Sequence, residues 1–149
     1  MEEVVEKDGN GVGVLLGRHS LTTINGKKYG LGAVDLDGTG ADINFKKHVG
    51  IDVSTLTKTV TVASGKKDRS QMFYWIPEEY IDLLDAKDIE YEGCGNFELR
   101  IGNQYSMVAG VHPETDGYFW VNSPADTDIA IAPLLLLEGC LLYTSDAAD

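Results

Sequence analysis

Short apolar and β-prone runs, each too brief for a helix, recur along this chain between glycine-rich turns, and that rhythm confines it to a fold built mainly of short strands. Residues 11–16 (GVGVLL) and 29–36 (YGLGAVDL) are such runs, residues 59–62 alternate Thr with Val, and residues 71–76 (QMFYWI) are aromatic and β-prone. Residues 96–101, 105–109 and 118–121 are three more, separated by GN and HPETDG, whose turn chemistry predicts an antiparallel meander. Pro77 opens PEEYIDLLDAKD with acidic residues in its first turn, which predicts a short helix, and residues 133–138 predict a closing helical turn. Strands outweigh helices, so the expected class is α+β, mainly antiparallel, with few helices.

At 149 residues the chain has the length of one domain, and its 43% hydrophobic content is enough to bury a core. The formal charge of −12 repels nucleic-acid phosphates unless the basic residues are concentrated in one place. The apolar run 129–137 is broken by Pro133 and falls short of the roughly 20 residues that span a bilayer. The opening MEEVVEKDGN has no signal-peptide pattern, so a soluble, cytoplasmic protein without membrane contact is expected. The last ten residues, CLLYTSDAAD, look like translated sequencing adapter. The domain is therefore expected at residues 1–139, with 140–149 a non-native tail. That leaves Cys94 as the one native cysteine, and with it no disulfide framework or cysteine zinc site. The first residues run almost at once into a strand, as in a fragment lacking its natural N-terminus.

The sharpest local feature is residues 32–38 (GAVDLDG), an apolar strand ending in Asp35 and Asp37. Spacing of two in a strand puts both carboxylates on one face. Two such oxygen donors suit Mg²⁺ or Mn²⁺, hard cations that need few protein carboxylates when substrate phosphates complete the shell. A solvated strand exit would use the same residues. An EF-hand loop from Asp35 fails, because its fifth and twelfth positions hold Thr39 and Lys46. A phosphate loop at Ser64-Gly65-Lys66 lacks both the earlier Gly and the following Ser or Thr. The DLDGT string is similar to the opening of haloacid-dehalogenase phosphatases, with Asp35 as nucleophile and Asp37 as acid-base, but Gly40 follows it and no late acidic pair on a parallel strand is evident.

Residues 63–71 (ASGKKDRSQ) pack Lys66, Lys67 and Arg69 around a Gly turn in a chain poor in cations. Freed backbone N–H groups, Lys charges and a forked Arg suit a triphosphate, and a solubilising hairpin turn is the plainer alternative. On the FELR run, Glu98 and Arg100 share one strand face and Phe97 and Leu99 the other. Glu98 is either a third metal carboxylate, with Arg100 holding a phosphate or positioning it, or half of a surface ion pair. His112 lies in the turn GVHPETDG.

Taken in order, GVGVLLG, AVDLDG, TVASGKKDRSQMFYWIPEEY and FELRIGNQYSMVAGVHPETDGYFWVNSP resemble the bifunctional DNA primase/polymerase N-terminal domain of the archaeo-eukaryotic primase superfamily, over roughly residues 10–138. The resemblance implies an RRM-like antiparallel sheet backed by helices, with metal in a cleft, and it implies plasmid, phage or prophage replication. It maps the catalytic metal ligands to Asp35, Asp37 and Glu98, whose carboxylates should converge within one metal's reach, and the cofactor to two Mg²⁺ or Mn²⁺ ions. Nucleotide-binding roles fall to Ser64, Lys66, Lys67, Arg69, Gln71, Arg100 and His112. Gln71 stands near the place of the family's usual His; an amide there donates hydrogen bonds but carries no charge. Ala109-Gly110 replaces the family's double Pro, while His112-Pro113 is kept.

The expected function is therefore template-directed nucleotidyl transfer, with DNA template and nucleoside triphosphates as partners and a fused or associated helicase as a further one. The alternatives are a non-catalytic nucleotide- or DNA-binding module of a replication protein, and the phosphatase.

Overall fold

The chain enters the fold through two antiparallel strands, β1 (Val4–Lys7) and β2 (Gly11–Leu15). The computed structural model describes residues 4–7, 11–65, 68–102, 104–110 and 117–143. Asn25 and Gly26 take φ of 51° and 81°, the two left-handed positions of a tight hairpin turn, and join β3 (Gly17–Ile24) to β4 (Lys27–Asp37). The Asn-Gly pair was the signal for β3, a strand that apolar runs alone do not reveal, since much of it is exposed.

A second unexpected element follows the acidic strand. Helix α1 (Ala41–Val49) starts after Gly40 and ends at Gly50, both left-handed, and the Gly50 N–H donates to the Lys46 carbonyl. Its buried residues, Ala41, Phe45, His48 and Val49, follow helical spacing, but the interleaved Asp, Asn and Lys residues dilute that pattern. Beyond it come β5 (Thr61–Ala63), β6 (Arg69–Pro77) and α2 (Glu78–Lys87), the last with Glu78 and Glu79 in its first turn, as the sequence predicts. The chain then forms β7 (Glu90–Tyr91), β8 (Asn96–Arg100), β9 (Tyr105–Gly110), β10 (Phe119–Asn122), β11 (Ala130–Ile131) and α3 (Leu134–Leu142).

The protein is α+β, with three helices and mostly antiparallel strands among the described residues. One sheet runs β1-β2-β9; the other has eight strands along the path β10-β5-β6-β4-β8-β7, with β3 beside β4 and β11 parallel to β6. The expected meander of β8, β9 and β10 is not what forms. β8 pairs with β4 and β7, β9 crosses to β2, and β10 pairs with β5. Turn chemistry specifies that the chain reverses, but the partner is chosen by which long-range face a strand can bury.

The large sheet separates two cores. Val34, Leu36, Tyr74, Phe97 and Leu99 face the helices, meeting Phe45, Leu84 and Leu136. Cys140 and Tyr143, set aside with the tail at the sequence level, are buried in this core. On the opposite face Leu31, Ala33, Phe73 and Trp75 meet Val14 and Val108 of the small sheet and Leu16, just past the end of β2. Strand alternation then puts Asp35 and Asp37 on the small-sheet side, next in line after Leu31 and Ala33.

Gly17, at the start of β3, packs closely against the backbone just past the end of β8. Its φ is +60°, and an added Cβ would meet the backbone oxygen of Ile101. Gly17→Ala is expected to cost at least about 1–3 kcal/mol from backbone strain alone. A lowered urea midpoint at unchanged m-value would register it, and a midpoint equal to wild type would contradict the close approach.

Candidate functional site

The site is assembled by register. In the eight-stranded sheet Asp35 of β4 lies directly opposite Gln71 of β6 on one side and Glu98 of β8 on the other. One step along, Asp37 lies opposite Arg69 and Asn96. Side chains paired across neighbouring strands share a face with Cβ atoms about 5 Å apart. Two acidic strands far apart in sequence are thus neighbours, with Glu98 on the same side as the aspartate pair. Phe97 and Leu99 anchor Glu98 from behind, because they are the buried members of β8's alternation.

Two arginines compensate the acids. Arg100 Nη1 donates to Glu98 Oε1 at 3.0 Å, its Nε to Ser106 Oγ at 3.0 Å and its Nη2 to the Tyr105 carbonyl at 2.8 Å. The guanidinium therefore ties the carboxylate strand β8 to β9 of the small sheet. Gln104 Nε2 reaches the other Glu98 oxygen at 3.5 Å. Arg69 Nε stands 3.8 Å from Asp37 Oδ1.

Asp35 lacks such a bond: its Oδ1 is buried with no hydrogen-bond partner. Burial pushes its carboxyl up to about 6, against the opposing pull of Arg69 and Arg100 and with a smaller push from Asp37 and Glu98. Gln71 is buried too, and its Oε1 is likewise unpartnered.

Asp35 lies at the junction of two cavities. A small one, about 130 Å³, is walled by Asp35, Asp37, Glu90, Asn96 and Glu98. A larger cleft, about 410 Å³, is walled by Asp35, Arg69, Gln71, Arg100, Tyr105 and Tyr118 among others. The donors are hard oxygens, and a buried carboxylate oxygen without a partner is what a divalent cation would satisfy, so the residues fit Mg²⁺ or Mn²⁺ in kind. Among the described residues, however, no three His, Cys, Asp or Glu groups stand close enough together to hold one ion between them. Asp35, Asp37 and Glu98 share one face, but the expected convergence within one metal's reach is not seen among the described residues. Arg100 holds Glu98 and Arg69 leans on Asp37, which leaves Asp35 as the uncommitted acid.

Of the other sequence candidates, Arg69 and Gln71 line the cleft, and Ser64 is buried beside them at the end of β5. Arg100 also lines it, with each of its three nitrogens donating one bond, to Ser106, Glu98 and Tyr105. Lys66, Lys67 and His112 lie outside the described residues. Glu90, Asn96, Gln104, Tyr105, Ser106 and Tyr118 were missed as cavity walls. Gln104, Tyr105 and Ser106 reach the site from β9 of the small sheet and the residue before it, so no periodicity within β8 could have placed them there. The phosphatase alternative needs a late acidic pair on a parallel strand. β4 is antiparallel to β3, β6 and β8, and the parallel pair among the described strands, β6 with β11, presents Ala130 and Ile131.

A family model described as bifunctional DNA primase/polymerase, N-terminal, matches residues 3–135. No curated protein and no solved structure matches. No described helix is long and apolar enough to cross a membrane.

Proposed function

We propose, from the premise that this chain belongs to the bifunctional DNA primase/polymerase N-terminal family, that it carries out template-directed nucleotidyl transfer at the Asp35, Asp37 and Glu98 face. The observation that carries this reading is the register that sets Asp35 opposite Glu98, with Asp37 on the same face, beside a cleft walled by two arginines. Asp35, Asp37 and Glu98 are the residues that would hold the metal. When bound, Mg²⁺ or Mn²⁺ lowers the pKa of the attacking 3′-hydroxyl and neutralises charge on the leaving pyrophosphate.

The chain's own part is alignment and charge. Arg69, with Lys66 and Lys67 beside it in sequence, meets the triphosphate, and the 410 Å³ cleft has a volume suited to a nucleotide. The walls of the cleft and the small-sheet core behind it exclude water from the buried Asp35, which strengthens each charge contact there. DNA and nucleoside triphosphates are the partners, and a helicase fused or associated in replication is the further partner this reading includes. The test is primer extension by the purified chain on a primed template with deoxynucleotides and Mn²⁺ or Mg²⁺. Product that vanishes with Asp35→Asn supports the reading, and no product under any metal or nucleotide counts against it.

A second reading, a module that binds nucleotide or DNA without catalysis, is favoured by Gln71, an uncharged amide where the family usually has His. Nucleotide binding that saturates in a titration with no phosphodiester product would select it.

Arg100 acts in this scheme as a positioning residue for Glu98. Arg100→Lys keeps the charge but loses the fork that bridges Glu98, Ser106 and Tyr105. The expected result is a fall in kcat of about 10-fold or more with KM for the nucleotide unchanged. A rise in KM at constant kcat would instead make Arg100 a nucleotide contact.

A further inference from the structure

Resting on the reading above, we propose that Gln71 is itself a cation ligand, its side-chain carbonyl oxygen acting with Asp35 Oδ1 to bind a divalent metal in the cleft between the sheets. Gln71 is only 8% exposed, lines that cleft, and sits directly opposite Asp35 in the β4–β6 ladder. Its Oε1 and Asp35 Oδ1 are both cut off from solvent and both lack a hydrogen-bond partner.

Two acceptor oxygens on neighbouring strands cannot satisfy each other, because neither brings a proton. Of the nearby donors, Arg100 places three of its five N–H groups on Glu98, Ser106 and Tyr105, Gln104 bonds Glu98, and neither bonds Asp35 Oδ1 or Gln71 Oε1. Arg69 stands 3.8 Å from Asp37 and bonds neither of the two oxygens. A cation meets two unpaired oxygens at once, and hard divalent ions take amide carbonyls together with carboxylates. A neutral carbonyl also adds a ligand oxygen without adding negative charge to a row that already holds Asp35 and Glu98. An amide turned the other way, with its NH₂ donating to Asp35, is the competing arrangement, and it predicts no role for Gln71 in metal affinity.

The test is Mn²⁺ binding to the full chain without nucleotide, read by the electron paramagnetic resonance signal of free Mn²⁺, with thermal melts confirming that each variant is folded. Gln71→Leu, similar in size and without an acceptor, is expected to weaken binding about tenfold. Gln71→Glu, which restores an oxygen at that place, is expected to bind at least as tightly as wild type and to gain more in melting temperature from added Mn²⁺. If Gln71→Leu binds Mn²⁺ like wild type while Asp35→Asn binds poorly, Gln71 is no ligand and the proposed reaction still stands. Should Gln71→Leu fail to fold, Gln71→Glu decides: weaker Mn²⁺ binding than wild type overturns the assignment. Wild-type affinity in Asp35→Asn would remove the metal reading of the whole site, and this inference with it.

Discussion

Asp35→Asn is expected to abolish nucleotidyl transfer and, in the metal-free protein, to make the fold more stable. Loss of a metal carboxylate removes several kcal/mol of transition-state stabilisation, on the order of a thousandfold or more in rate. The stability gain follows from burial. In the folded chain the Asp35 carboxyl titrates at about 6, above its ordinary value of 3.8, so the native state holds its proton where the unfolded state has released it. Stability from this group is therefore greatest at low pH and declines as pH rises between those two values, reaching its full cost above about 6. The shift corresponds to about 3 kcal/mol, which Asn does not incur. Urea melts in chelator should show Asp35→Asn ahead of wild type at pH 7.5, with the margin falling to about half at pH 5. Equal stability at pH 7.5 would mean that Asp35 is not desolvated as described. Activity retained at wild-type rate would mean that it is not a metal ligand.

Phe97→Ala is expected to give the largest loss of stability, about 3–5 kcal/mol, against a total of about 5–15 kcal/mol for a domain of this size. Phe97 is 2% exposed and is the hub of an aromatic group: the Phe45 ring is 5.3 Å away edge-on, Tyr91 stacks at 5.8 Å, and His48 and Tyr143 lie at 5.9 and 6.3 Å. Truncation opens a cavity between β8 and α1 that the helix cannot close while Gly40 and Gly50 fix its ends. The change also reaches the site, because Phe97 and Leu99 are the buried anchors that hold Glu98 on the opposite face. Phe97→Leu should cost markedly less and keep metal binding. Denaturant midpoints of the two variants check this, and a loss below about 1 kcal/mol for Phe97→Ala would contradict the packing described.

Much of the architecture could be read from the chain. The runs at 11–16, 29–36, 71–76, 96–101 and 105–109 are strands, and PEEYIDLLDAKD is a helix, because alternation, turn residues and an acidic first turn are local physics. The short strands β1, β7 and β11 escaped, and so did two longer elements, β3 and α1. The strand β3 exposes much of its length, so its evidence was the Asn25-Gly26 turn and not its composition. The helix α1 has four buried positions diluted by polar neighbours. The expected meander failed for a different reason: β8, β9 and β10 are consecutive in sequence yet pair with β4, β2 and β5.

The candidate site divides in the same way. Within single strands the sequence alone determined that Asp35 and Asp37 share a face and that Glu98 and Arg100 share another, since side-chain alternation depends only on being a strand. It also determined the family, through four strings in order. Only the tertiary structure decided that those two faces are one face, that Gln71 and Glu98 flank Asp35, and that Arg100 bonds Glu98, Ser106 and Tyr105. Pairing between distant strands is set by which apolar faces can be buried together, a property of the whole chain that no local window contains. Burial in turn raised the Asp35 carboxyl and stranded two oxygens, because desolvation depends on what covers a group and not on what precedes it in the sequence.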